Sequence, residues 1–196
     1  IICVTKFGNG GVPPPPVLEG TSQVGFNDIL VDPGGIMRRG LLFLDDGREV
    51  FYSLSLLLAL HYLQPRDISA QPDNENPDHM QLGSTTLMPF KKNDGGYTNA
   101  DARGYQYLVD FKNPDGLYQT LPLSDLLSKK TAPSDIHGKV ILIGVIAPSV
   151  KDFFYTPFSR GFQTEQQMAG VVLHAHLTDQ LIRIGLNKSH PITTLT

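Results

Sequence analysis

The sequence predicts a mixed α/β fold, a mixed sheet with helices packed on it, from three observations. The run at 140–145, "VILIGV", is almost continuously apolar, the pattern of a central strand buried on both faces. Two β-like runs, "SQVGFNDIL" at 22–30 and "IMRRGLLFL" at 36–44, flank the turn "VDPGG" and read as an antiparallel hairpin. The segment at 167–185 keeps a helical period along its length.

The elements follow in order. "IICVTKF" opens as a strand, and "GNGGVPPPP" after it is a turn and a polyproline segment, which neither a helix nor a central strand accepts. In the hairpin turn Pro33 presets one angle, and Gly34 and Gly35 allow positive φ. "DDG" at 45–47 turns the chain into "REVFYSL". Ser53 or Ser55 then caps a helix at 54–63, "LSLLLALHYL", which Pro65 ends. That helix is apolar nearly all round, so more than one face is buried. Residues 66–80 read as a polar surface loop, 80–90 as a weak strand and 91–104 as a second long loop. "YQYLVDF" at 105–111 is a strand with Tyr105, Tyr107 and Val109 on one face. A turn at 113–116 leads to a short helix in "LPLSDLLSKK", with Ser124 as its cap. The central strand spans 137–147, and a loop joins it to the last helix, 167–185.

The chain has 196 residues, enough for a single domain over 1–196, and 40% of them are hydrophobic, enough for a core. A net charge of −3 and no Lys/Arg cluster longer than two exclude nucleic acid as a partner. The one cysteine, Cys3, excludes a disulfide within the chain. No apolar stretch approaches the roughly 20 residues of a membrane span. The chain begins at Ile1, already in a strand, so we expect a piece of a longer protein.

His174 and His176 stand two apart in "VVLHAHLTDQLI". On a helix they point about 200° apart and do not share a metal. His174 falls on the core side with Val171, Thr178 and Leu181, where we expect it packed and hydrogen-bonded through one ring nitrogen. His176 joins Val172, Asp179 and Arg183 on a solvated face. With no other ligand cluster in the sequence, neither a metal nor a cofactor is expected. Gly144 lacks the spacing of a phosphate-binding loop, and no nucleophile elbow is present. Asp32, Asp101 and Asp152 read as turn or cap residues. Arg38 and Arg39 face opposite ways in a strand, so one points inward and needs a carboxylate or an anionic ligand. Asp152 is the candidate partner. The segment 147–152, at the carboxyl end of the central strand, reads as a pocket wall.

Three stretches together resemble a known family. They are "VGFNDILVDPGGIMRRGLLFL", "GKVILIGVIAPSVKDFFYTPFS" and "MAGVVLHAHLTDQLI", in order, within about residues 24–186. They resemble the CHASE2 domain, an extracytoplasmic sensor module of bacterial receptors; the loops 66–80 and 91–104 match little. The motif positions are Asp32, Gly35, Arg38, Arg39, Gly144, Asp152, Thr156, Pro157, Gly170, His174 and Ala175. The resemblance implies no catalytic residues. It implies an extracytoplasmic, periplasmic domain of a cell-membrane protein, with transmembrane helices and a cytoplasmic effector such as a histidine kinase, nucleotide cyclase or Ser/Thr kinase. It also implies a further strand–helix–strand segment upstream of Ile1; alternatively a partner chain covers the surface, which an unpaired sheet edge would favour.

The leading expectation is therefore signal input. A small molecule or a physical stimulus acts on a site drawn from Arg38, Arg39, Asp152, Thr156 and His174. The alternative is a dimerisation or spacer module, a homodimer that binds no ligand; a small α/β enzyme is the third reading. A deep pocket lined by Arg38 or Arg39 with Asp152 and His174 would favour the first.

Overall fold

Two helices hold the core of the computed structural model, which describes residues 1–8, 10–112, 118–159 and 167–194. Helix α1, Leu54–Leu63, starts where Ser53 takes an extended conformation and its side chain accepts from the Leu56 N–H. This satisfies one of the orphan donors of the first turn. Pro65 cannot continue an α-helix, and the chain leaves through a short 3-10 turn, Gln64–Arg66, ending at Asp67 with φ 57°. Helix α3, Gly170–Gly185, presents Leu173, Leu177, Leu181 and Ile184 to the core. Leu56, Ala59 and Leu63 of α1 belong to the same buried cluster. The helices come close because Gly185 has no side chain: a Cβ there would stand 2.6 Å from Leu63 Cδ1.

The strands are short and stitched into small sheets. β1 (Cys3–Thr5) and β2 (Val24–Phe26) pair in parallel, Val4 opposite Gly25. β3 (Arg39–Leu41) pairs antiparallel with β9 (Gln106–Leu108), and β4 (Phe43–Asp45) with β5 (Val50–Tyr52). β6 (Ala70–Pro72), β7 (Met80–Leu82) and β8 (Thr85–Leu87) form an antiparallel meander. β10 (Phe153–Phe154) pairs antiparallel with β11 (Met168–Ala169). Bonds from Ser53 N–H to Leu42 and from Leu42 N–H to Tyr105 join neighbouring pairs. Tyr105, Tyr107 and Val109 are all buried in the core, on one face of the β9 segment. The mixed α/β class holds.

Several expected elements differ. The turn at 32–35 forms, with Gly35 at φ 76° and a Leu30–Arg39 bridge. Its flanking runs do not zip into a hairpin, because β2 pairs with β1 and β3 with β9. The polar loop 66–80 contains β6, completed by β7. Pro122, not Ser124, stands at the N-cap of the short helix α2, Leu123–Leu127. The last helix starts at Gly170 rather than 167, because Met168 and Ala169 are held by β10. The turn expected at 113–116 lies outside the described residues.

The largest correction concerns the central strand. Residues 139–147 belong to no strand and have no buried residue. Ile141 is 46% and Ile143 78% exposed. A strand needs a neighbour to take its N–H and C=O groups, and no described segment runs alongside. From 118 to 152 no residue is buried, although Leu123, Leu127, Val145 and Ile146 are all in this arm.

Candidate functional site

The two arginines converge on one carboxylate. The turn at 32–35 turns Asp32 back over β3 and buries it. Its Oδ1 accepts from Arg39 Nε and Nη2 at 3.0 and 2.7 Å; its Oδ2 accepts from Arg38 Nη1 at 2.9 Å and Tyr97 Oη at 2.7 Å. Arg39 is the inward arginine, 5% exposed. Its Nη1 donates to Gln106 Oε1 and to the Asp101 carbonyl, and its guanidinium packs against both the Phe90 and Tyr97 rings, which meet each other edge to face. Burial alone would raise the Asp32 carboxyl, but hydrogen bonds from Tyr97, Arg39 and Arg38 outweigh it, so its pKa lies below the ordinary value. All the acceptors this guanidinium needs are inside the fold, so the cluster works as a clasp between the 32–35 turn, β3, β9 and the 91–104 loop. Asp152 is not its partner; it lies against the first turn of α3, at Gly170. Sequence reasoning missed Tyr97, Phe90 and Gln106. Tyr97, a lone aromatic in a polar loop, was the available signal.

Asp101 and Thr156 serve turns. Asp101 Oδ1 accepts from the Arg103 N–H, and Arg103 holds its carboxyl down to about 2. Thr156 is buried in "TPFS", where its N–H donates to Ser159 Oγ and its Oγ1 accepts from the Phe158 N–H.

His174 and Asp152 do come to one place. They line a cleft of about 970 Å³ whose walls include Ile2 and Val4, Leu54 and Leu58, and the run from Val140 to Gly144. Its end is the first turn of α3. A Cβ on Gly170 would stand 2.2 Å from Asp152 Oδ2, so only glycine admits the carboxylate there. A Cβ on Gly144 would stand 2.5 Å from the Val171 Cβ. The exposed arm is thus seated on α3 through two glycines. His174 Nδ1 lies 3.3 Å from Ser55 Oγ, and the Asn27 main chain also hydrogen-bonds the ring. Burial pushes His174 down, partly opposed by Asn27 and Asp152. Asn27 also lines the cleft, and its Oδ1 is buried with no hydrogen-bond partner.

His176 is not on a solvated face. It is 1% exposed and packs against the Phe111 and Tyr118 rings at 5.5 and 5.0 Å. The end of the β9 segment and the start of the arm cover this side of α3, which the helical period alone does not reveal. Burial lowers the His176 pKa, opposed by Asp179. The Asp179–Arg183 pair forms, at 2.8 Å. The two histidines have separate neighbours, and among the described residues no three metal-ligating side chains converge. Nor is any described helix long and apolar enough to cross a membrane.

Neither Arg38 nor Arg39 lines the His174–Asp152 cleft, although Arg39 and His174 share the lining of a cavity of about 10 Å³. The five candidate residues divide between the arginine clasp, the cleft and the Thr156 turn. No curated protein and no solved structure matches the chain. The family model of the CHASE2 domain matches residues 4–195, nearly the whole chain and well beyond the stretch where the motifs lie. With that coverage, the chain belongs to the CHASE2 domain family, a family of extracytoplasmic sensor domains.

Proposed function

We propose that this chain is the periplasmic signal-input domain of a transmembrane receptor whose cytoplasmic output is a kinase or a nucleotide cyclase. A CHASE2 domain senses rather than catalyses. The observation that carries the reading is the cleft at the N-terminal turn of α3. It combines apolar walls with Asp152, His174 and the unpartnered Asn27 Oδ1, the mix of surfaces that small-molecule sites use. Gly144 meets Val171 and Asp152 meets Gly170, so the arm that walls the cleft packs on the first turn of α3 and an occupant bears on that helix. In this reading Asp152 and His174 contact the ligand, and Arg38, Arg39 and Thr156 serve the fold.

Thermal-shift screening against small anions, amino acids and nucleotides tests it. A ligand that raises Tm in the native chain, but not in Asp152→Asn or His174→Gln, is the expected result. In the full-length receptor, a flexible linker after Leu186 uncouples output if α3 carries the signal; undiminished signalling overturns that route. A second reading, a dimerisation module that binds no ligand, is favoured by the exposed apolar arm and is supported by a library without a single shift.

A further inference from the structure

His176 points about 200° away from His174 around α3 and sits in a polar cluster that the cleft does not use. His176, Asp179 and Arg183, three and four residues apart, form one stripe of the helix. The Phe111 and Tyr118 rings cover the imidazole. Three buried polar atoms gather here without a hydrogen bond to any described residue: His176 Nε2, Tyr118 Oη and Arg183 Nη2. Buried polar atoms are nearly always paired, so three around one imidazole set this place apart from the rest of the core.

The charges near His176 are already matched. On α3, Arg183 Nε donates to Asp179 Oδ2 at 2.8 Å. From the β9 segment, Asp110 Oδ2 lies 2.7 Å from Lys112 Nζ and 3.5 Å from Arg183 Nη1. The arm contributes Tyr118, whose phenol burial keeps in its neutral form. Among the described residues of the cluster, two cations thus meet two carboxylates, and no acid is left over for an imidazolium. A proton on the covered ring is a buried charge beside Arg183 without a partner of its own, which is unfavourable. Water removes that penalty once Tyr118 moves off. Proton binding and uncovering of the ring are therefore linked, each favouring the other.

We propose that His176 is a proton-binding site and that a proton there releases the start of the arm, at Tyr118, from α3. The ligand is the proton, and the position of Tyr118 reports whether it is bound. Farther along, the arm also packs on the first turn of α3 through Gly144 and Gly170, so release at Tyr118 acts on the helix that an occupant of the cleft also meets. Its use as a signal rests on the signal-input reading; the latch itself needs no ligand in the cleft. The sign follows from burial, which lowers His176 while the ring is covered. The uncovered ring returns to about 6.5, so acid favours the released form.

NMR of the histidine and tyrosine rings in the 196-residue chain tests it. In the native chain His176 is expected to titrate below about 6.5, and the Tyr118 ring signals to follow the same curve. The released population is expected to rise by up to about tenfold between pH 7.5 and 5.5. Tyr118→Ala is expected to bring the His176 titration up to about 6.5 and to leave that of His174 in place. His176→Gln is expected to abolish the Tyr118 response. A Tyr118 ring indifferent to pH overturns the proposal, as does a His176 titration unmoved by Tyr118→Ala or a Tyr118 response that survives His176→Gln. Loss of amide protection in α1 at the same pH also overturns it, because the whole domain then opens rather than the latch. None of these readouts depends on a cleft ligand, so a failed ligand screen leaves the test intact.

Discussion

Helix α1 and the 140–146 run are both almost purely apolar, and they end in opposite environments. In α1, Leu56, Ala59 and Leu63 are fully buried against α3. In the run, Ile141, Ile143, Val145 and Ile146 stand 46–78% exposed. Burying such side chains is worth about 1.5–3 kcal/mol each, so the run holds a large unused stabilisation. The difference lies in the backbone. A helix satisfies its own N–H and C=O groups and needs only an apolar surface to lie on. A strand needs a neighbour of the right length beside it, and among the described residues no strand pairs with the run, which meets α3 through Gly144 at Val171. An apolar pattern thus sets a demand for burial, and for a strand a second chain segment must meet it.

Three measurements break or sharpen this contrast, the largest effect first. In the packed half, Asp32→Ala leaves the Arg39 guanidinium buried without its carboxylate. Removing one partner of a buried ion pair costs about 3–5 kcal/mol, to be read as a drop in the urea midpoint with the slope retained; a change below 1 kcal/mol would mean that Gln106 and the aromatic faces hold Arg39 unaided.

Acid provides the intermediate test. Burial lowers both His174 and His176, so the unfolded chain binds their protons first. Their contribution is full above the unfolded value of about 6.5 and is lost as pH falls through the lowered folded values. Asp32, also lowered, keeps its contribution above about 3.8 and loses it below that. Stability measured from pH 8 to pH 3 is expected to fall in two stages. His174→Gln is expected to flatten the first, and a slope unchanged by it would place the titration elsewhere.

The arm is expected to respond least. Ile143→Ala removes a side chain that is 78% exposed, so the unfolding midpoint of the monomer moves by no more than about 0.5 kcal/mol. A loss of the size seen in a core leucine would show that the run is buried in solution.

Much of the packed half was legible in the sequence because its signals are local. Ser53 caps α1 three residues before Leu56, Pro65 ends it, and Pro33 with Gly35 makes the 32–35 turn. The period of 170–185 separates His174 from His176 whatever packs on them. The clasp was half legible: two adjacent arginines require a carboxylate when one points inward. Choosing Asp32 over Asp152 needed the turn that swings Asp32 back over β3, and Tyr97 and Gln106 arrive from 65 and more residues away in the chain. His176 shows the same limit, since Phe111 and Tyr118 lie across α3 from a different segment.

By itself, then, the sequence determined the mixed α/β class, the Ser53 cap and the 32–35 turn, the separation of His174 from His176 around α3, and the motifs that mark a CHASE2 domain. These depend on side chains a few residues apart, or on patterns that stay the same in any tertiary setting. Tertiary structure alone decided which carboxylate meets Arg39, that His176 is buried, that Asp152 and His174 share a cleft, and that the apolar run at 140–146 is open. Each of those depends on what a distant segment brings alongside, and pairing between distant segments is not encoded in local spacing.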